Sequence, residues 1–190
     1  MSAQSDGGTP KDRAAAGSAP ETDSPAMVLR DMAPADIDAI TAMDATLFGV
    51  DSWPRHMFVD ELAQPETRRY IIAEVPDRDG HPAMAGYAGL MCLPPIGDIQ
   101  TIGVLPHYEG RGYARAMLAE LIGEARRRGA QDVMLEVSAN NPRAQELYRR
   151  FGFEHIHTRR KYYRDGSDGL IMRLRFSEPQ AAQSPQKDPS

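Results

Sequence analysis

The sequence predicts an α/β fold of the α+β kind: one mixed, mainly antiparallel sheet with helices packed on both of its faces. Three observations lead there. Between Met27 and Phe176, segments with apolar residues at helical spacing alternate with short apolar runs bounded by turn residues. The 190 residues suffice for one ordinary domain and are too few for two comfortable ones. Residues 1–26 and 177–190 are rich in Ser, Pro, Gly, Gln and Ala and offer nothing to bury, so both are expected to be disordered tails around a single domain over 27–176.

Taken in order, "MVLRDM" reads as a short first strand. Pro34, suited to a first helical turn, opens "PADIDAITAMDATLF", where Ile37, Ile40 and either Met43 or Asp44 step at helical spacing. A second short helix covers "RHMFVDELA". "RRYIIAEV" and "PAMAGYAGLMCL" are two strands joined by the turn "PDRDGH", and "DIQTIGV" follows the break "PPIG" as another. Next comes a helix with apolar residues at Ala114, Met117, Leu118, Leu121, Ile122 and Ala125. It ends in Arg126, Arg127 and Arg128, which suit the negative end of its dipole, and in Gly129 as a C′ glycine. "QDVMLEV" is a strand, "NPRAQELYRRF" a helix, and "FEHIHTRRKYY" with "GLIMRLRF" a final pair of strands. The expected order is β-α-α-β-β-β-α-β-α-β-β.

Composition narrows the function. A net charge of −5 disfavours a nucleic-acid binder that works through overall basicity. The single cysteine, Cys92, permits no internal disulfide and no Cys-rich zinc site, and within "GYAGLMCL" it reads as a small buried hydrophobe. No apolar stretch approaches the roughly 20 residues that a membrane span needs. Residues 1–26 contain no Val, Ile, Leu, Phe, Tyr or Trp, hence no signal-peptide apolar region, and a cytoplasmic location is the default expectation.

Several residues are candidates for chemistry. In "YEGRGYAR", Gly110 and Gly112 bracket Arg111 immediately before a helix. The loop is either a tight turn or an anion cradle, in which backbone N–H groups converge beside the helix N-terminus and Arg111 and Arg115 add charged donors. Glu109 sits awkwardly there, because its carboxylate must point away from any phosphate. A dinucleotide loop, G-x-G-x-x-G, does not fit: Arg115 stands at the third glycine, and Asp132 opens the next strand where the acidic ribose partner should close it. Glu136 lies in an otherwise apolar strand, a costly place for a carboxylate unless it faces water, pairs with an arginine, or serves as a general base in a cleft. Tyr148 falls on the stripe Ala144, Leu147, Tyr148, Phe151 and reads first as a core tyrosine. His155 and His157 alternate along a strand and are expected on one face, but lack a third ligand, so no metal is expected. Arg159, Arg160 and Lys161 read as a solvated basic face.

These pieces join through a resemblance. "IGVLPHYEGRGYARAML" resembles the acetyl-CoA motif of the GCN5-related N-acetyltransferase superfamily, a strand followed by Q/R-x-x-G-x-G/A and a helix. "LEVSANNPRAQELYRRFGFE" resembles that superfamily's second signature, N-x-x-A-x-x-L-Y-x-x-x-G-F. With "RRKYYRDGSDGLIMRLRF", this block is similar to the bacterial ribosomal-protein-alanine N-acetyltransferases. The resemblance covers nearly all of 27–176 and is strongest from Ile99 onward. It departs at Glu109, where the family usually has Gln or Arg.

The resemblance implies a GNAT fold and acetyl-CoA as co-substrate, with no metal. It implies that the backbone of Ile102, Gly103 and Val104 pairs with the pantetheine arm. Gly110, Arg111, Gly112, Tyr113, Ala114 and Arg115 would wrap the pyrophosphate, and Asn141 would contact the cofactor further along. Glu136 would be the proton acceptor and Tyr148 the proton donor, with Tyr162 or Tyr163 as alternatives, and the Val104 N–H would serve the developing oxyanion. The implied substrate is a protein N-terminus, the N-terminal alanine of small-subunit ribosomal protein number eighteen, taken between "FGVDSWPRH" and the "RRKYY" and "RDGSDG" segments. Asp51, Asp165 and Asp168 are expected to attract a basic peptide. A small-molecule amine acetyltransferase would share the whole cofactor half, whereas a non-catalytic acyl-CoA-binding module would need neither Glu136 nor Tyr148.

Overall fold

The computed structural model describes residues 27–176, so the expectations about 1–26 and 177–190 lie outside the described residues. A seven-stranded sheet runs in the order β1-β2-β3-β4-β5-β7-β6. Its strands are β1 (Val28–Asp31), β2 (Arg68–Pro76), β3 (Pro82–Leu93), β4 (Ile96–Val104), β5 (Asp132–Ser138), β6 (Glu154–Arg159) and β7 (Gly169–Arg175). Every neighbouring pair is antiparallel except β4 and β5. Parallel neighbours need a crossover connection, and α3 (Tyr113–Arg127) supplies it.

Alternation along the strands divides the core in two. Ile71 and Ala73 of β2 face α3, in a cluster with Leu90, Ile99, Met117, Leu118, Leu121, Val133 and Leu135. Tyr70 and Ile72 face the other way, against α1 (Ile37–Phe48) and α2 (Arg55–Leu62), in a cluster with Ile40, Phe58 and Tyr87. The helix α4 (Pro142–Arg150) adds Tyr148 to the first cluster. Helices therefore cover both faces. A 3₁₀ turn at Pro34–Asp36 precedes α1, whose stripe buries both Met43 and the charged Asp44. Asp44 is accommodated because the Tyr87 hydroxyl and the Trp53 N–H donate to its carboxylate, although burial still pushes it above the ordinary aspartate range. At the far end of α3, the Gly129 and Ala130 N–H groups close onto the carbonyls of Arg126 and Ala125 as the C′ glycine suggested.

Two irregularities position everything that follows. Between Gly89 and Leu90 the β3–β4 register shifts, leaving Gln100 as an extra residue in β4. A bulge places two consecutive side chains on one face. Here Gln100 accepts from the Tyr70 hydroxyl at 2.7 Å, and the next residue, Thr101, lies 3.2 Å from the Tyr87 hydroxyl. The β4–β5 pairing stops at the same point, after Ile99 and Leu135, and the strands part. A second bulge lies between His155 and His157 in β6.

That second bulge corrects an expectation. His155 is opposite Met172 and His157 opposite Ile171, adjacent residues of β7 that face opposite sides, so the two histidines do not share a face. The inserted Ile156 breaks the alternation. The strand read from "FEHIHTRRKYY" also ends early, at Arg159. Lys161 there adopts a φ of 50°, and its N–H is held by Asp168 at 2.8 Å, so Arg160–Asp168 form a loop. β4, conversely, begins at Ile96, two residues before "DIQTIGV". Among the described residues no helix is long and apolar enough to cross a membrane.

The stability of this arrangement rests on the packing of α3. Leu121, fully buried between helix and sheet, is expected to cost about 2–5 kcal/mol when changed to Ala. The half-buried neighbour Ile122 should cost clearly less by the same change. Urea unfolding with an unchanged m-value checks both, and equal costs would contradict the assigned core face.

Candidate active site

The parted strands create a cleft. In the β3–β4 ladder the Leu105 N–H donates to the Ala85 carbonyl at 2.9 Å. Antiparallel pairs alternate between bonded and non-bonded positions, so Val104 and Ile102 turn their N–H and C=O groups away from β3. On that side β5 has already diverged, and four main-chain polar groups are left facing the gap. Opposite them begins α3. Its N-cap is Gly112 at φ 86°, and no side chain caps the turn; the first helical bond is Ala116 N–H to Gly112 O, so the amides of Tyr113, Ala114 and Arg115 have no helical acceptor. Gly110, at φ 78°, takes the preceding turn in the same left-handed region, which a side chain would disfavour.

Together these elements enclose a cleft of about 460 Å³. Ile102, Gly103, Val104, Gly110, Gly112, Tyr113, Ala114, Arg115, Asn141 and Tyr148 all line it. Asn141 also N-caps α4 by accepting from the Ala144 N–H at 3.0 Å. The Arg111 side chain turns out of the cleft, reaching the His107 carbonyl at 3.3 Å and lying over the Tyr108 ring at 5.6 Å. The Tyr113 hydroxyl is buried and has no hydrogen-bond partner among the described residues. Burial among apolar groups, with Tyr163 nearby, keeps the Tyr148 phenol protonated well above the usual tyrosine value.

Glu136 lies outside that cleft, on the opposite face of β5. Arg159 donates to its Oε2 at 2.9 Å. The loss of water raises the Glu136 carboxyl above the ordinary glutamate range, and Arg159 and Tyr162 pull it partly back. Asp98, in register with Met134 on the same face, is likewise raised by burial and by the charge of Glu136. Tyr163 stands close to both groups of interest: burial and Glu136 push its phenol up to about 12.

Two loops border this open face. Asp51, between α1 and α2, faces Arg164, between β6 and β7, at 3.7 Å. Asp165 accepts from the backbone N–H and hydroxyl of Ser167, and Asp168 from Lys161 N–H. Of the three acidic residues expected to draw in a basic peptide, only Asp51 is paired with a cation, while Asp165 and Asp168 accept from neutral donors of their own loop. Several groups were not anticipated. Arg143 of α4 pairs with Glu109 and so offsets its charge at the cleft wall. Gln145, buried, donates to the carbonyls of Ser138 and Ala139 and fixes the turn from β5 into α4. Asp98 and Arg159 reach Glu136 only through strand register. Among the described residues, no group of three or more His, Cys, Asp or Glu is placed to hold a metal ion.

The sheet thus opens between two parallel strands, and an uncapped, glycine-led helix begins beside the opening. The model of the Acetyltransferase (GNAT) family matches residues 37–153. The chain is 40% identical over 151 residues to N-alpha-acetyltransferase RimI of Mycobacterium tuberculosis, spanning 76% of this chain and 90% of that one. It is 30% identical over 151 residues to a putative ribosomal protein bS18-alanine N-acetyltransferase of Bacillus subtilis, spanning 79% and 96%. The crystal structure of the ribosomal-protein-S18-alanine N-acetyltransferase from Escherichia coli superposes with a TM-score of 0.70 at 26% identity, over 84% of this chain and 99% of that one. The chain belongs to the GNAT acetyltransferase family.

Proposed function

We propose that this acetyltransferase moves the acetyl group of acetyl-CoA to a protein N-terminal α-amine, and that its substrate is the N-terminal alanine of small-subunit ribosomal protein bS18. The observation that carries the reading is the division of the gap between β4 and β5. A donor-rich cleft lies on one side, and the carboxylate of Glu136, paired with Arg159, lies on the other. The names of the Mycobacterium tuberculosis and Bacillus subtilis relatives support the choice of amine.

The cleft fits coenzyme A chemically. The unbonded amides of Tyr113, Ala114 and Arg115 at a helix N-terminus suit a diphosphate. The free edge at Ile102 and Val104 suits an amide-containing arm, added as an extra strand would be. Acetyl-CoA held there supplies a thioester carbonyl to an amine arriving from the open face.

The chain's own groups then divide the proton traffic. An α-amine has an ordinary pKa of about 7.7–8.0, so a modest base suffices. Glu136 accepts that proton, directly or through a water, as the amine nitrogen bonds to the carbonyl carbon. The Val104 N–H, fixed in a strand, donates to the carbonyl oxygen as charge gathers there. Tyr148 keeps its proton at neutral pH because burial disfavours the phenolate, and it gives that proton to the departing sulfur.

Two outcomes are expected. Glu109→Gln removes a negative charge from the cleft mouth and frees Arg143, so the Kd for acetyl-CoA should fall roughly two- to fivefold by calorimetry at low salt. Weaker binding would contradict the cradle. Mass spectrometry of peptides incubated with enzyme and acetyl-CoA should show the highest kcat/KM for an N-terminal Ala peptide over Ser or Met. Blocked peptides with a free Lys should remain unmodified, and Glu136→Gln should lower kcat/KM by about 10²–10⁴-fold. Acetylation of Lys alone would remove the N-terminal assignment.

A further inference from the structure

Glu136 is held by an arrangement that no part of the acetyl-transfer reading requires in advance. Arg159 sits at the last position of β6, opposite Gly169, the first residue of β7. Gly169 also pairs with Ser138 on β5, two residues beyond Glu136. The guanidinium of Arg159 donates to Glu136 Oε2 at 2.9 Å and lies over the Tyr162 ring at 5.2 Å. Beneath these groups, a side chain on residue 169 would come within 3.2 Å of Glu136 Cδ and of the Tyr162 ring, and within 3.3 Å of Glu136 Oε1. Glycine there is a matter of space.

We propose that Arg159 is a positioning residue for Glu136: its guanidinium fixes Oε2, while the bare backbone at Gly169 leaves the room in which the carboxylate lies, with Oε1 as the oxygen that takes the proton. The proposal rests on Glu136 being the proton acceptor. A carboxylate on a partly buried sheet face has two ways to fail, by swinging off target or by holding a proton already. The Arg159 pair opposes both. Proton transfer then runs from the amine N–H to Oε1, with the electrons of that bond staying on nitrogen as it bonds to the acyl carbon.

The charges around Glu136 make the role testable. Asp98 faces it from β4, Arg159 from β6, and Tyr162 and Tyr163 from the following loop. β7 contributes Gly169 and Ile171, which carry no charge, and Arg173 further along is turned toward Asp132 at 4.0 Å. β6 also places His157 on this face, opposite Ile171, so Arg159 is the one permanent cation in this set. Desolvation favours a protonated Glu136, and the Arg159 guanidinium opposes it first, with a hydrogen bond from Tyr162 beside it. The sign follows: without Arg159, Glu136 stays protonated to higher pH, and the base is lost over a wider acid range.

The test is a ¹³C NMR titration of Glu carboxyl carbons in the full chain, with the Glu136 resonance assigned by its absence in E136Q. Arg159→Gln should raise the Glu136 midpoint by about 1 pH unit or more, and R159K should keep it near wild type. The acid break in the pH profile of kcat/KM for an N-terminal Ala peptide should move up with it in R159Q. Below the break that is roughly a tenfold loss per unit, and the Kd for acetyl-CoA should be unchanged. Arg159 is half exposed, so the fold should tolerate both changes. An unmoved midpoint in R159Q, or activity lost equally at every pH, would overturn the proposal. A midpoint that moves while the kinetic break stays would instead overturn Glu136 as the proton acceptor.

Discussion

Two neighbouring strands that run parallel for four residues and then separate leave main-chain donors and acceptors without partners. β4 and β5 do this after Ile99 and Leu135, and the extra residue Gln100 is the local cause. Unpaired backbone groups in a folded protein are costly unless water, a side chain or a ligand satisfies them. Their persistence at Ile102 and Val104 is a constraint around which the rest of the structure is arranged. Two buried tyrosines hold the bulge from the α1–α2 side: Tyr70 through Gln100, Tyr87 through Thr101. Gly103 then allows α1 to close in, since a side chain there would meet Leu47 at 2.6 Å. The opening is thereby a fixed feature of the sheet, with its mouth set against the first amides of α3.

The charges are sorted by the same opening. On the cleft side donors predominate, helix amides, strand amides and the Tyr148 hydroxyl, and the two lining carboxylates, Glu109 and Glu146, are tied to Arg143 and Arg150. On the other side stand the partly buried carboxylates Glu136 and Asp98, with the Arg159 guanidinium paired to Glu136. An anion and a nucleophilic amine are thus expected from opposite faces, and the strand gap is where they meet.

Much of this was legible in the residues because it depends on local physics. The limits of β2 and β3 follow from Pro, Gly and Asp at their ends, and the α3 face follows from a sustained helical period. The glycine loop was visible because left-handed turns need Gly at fixed positions. Asp44 illustrates a half-success. Its place on the buried stripe of α1 could be counted, but its acceptance there depends on Tyr87, distant in sequence. The β4 bulge left a trace, the polar doublet Gln100–Thr101, where alternation demanded one polar and one apolar residue. The β6 bulge left none, because His155–Ile156–His157 mimics regular alternation. The surroundings of Glu136 were out of reach for a related reason. Asp98 and Arg159 approach it through the register of three strand pairs, and register is a property of the assembled sheet.

The most direct measurement is amide hydrogen exchange by NMR on the full chain, with and without acetyl-CoA. If the opened edge of β4 receives the cofactor, the N–H groups of Ile102 and Val104 will become strongly protected on binding, together with those of Tyr113 to Arg115 at the start of α3. Binding that leaves Ile102 and Val104 exchanging as before, or that protects only amides remote from the gap, would contradict the account.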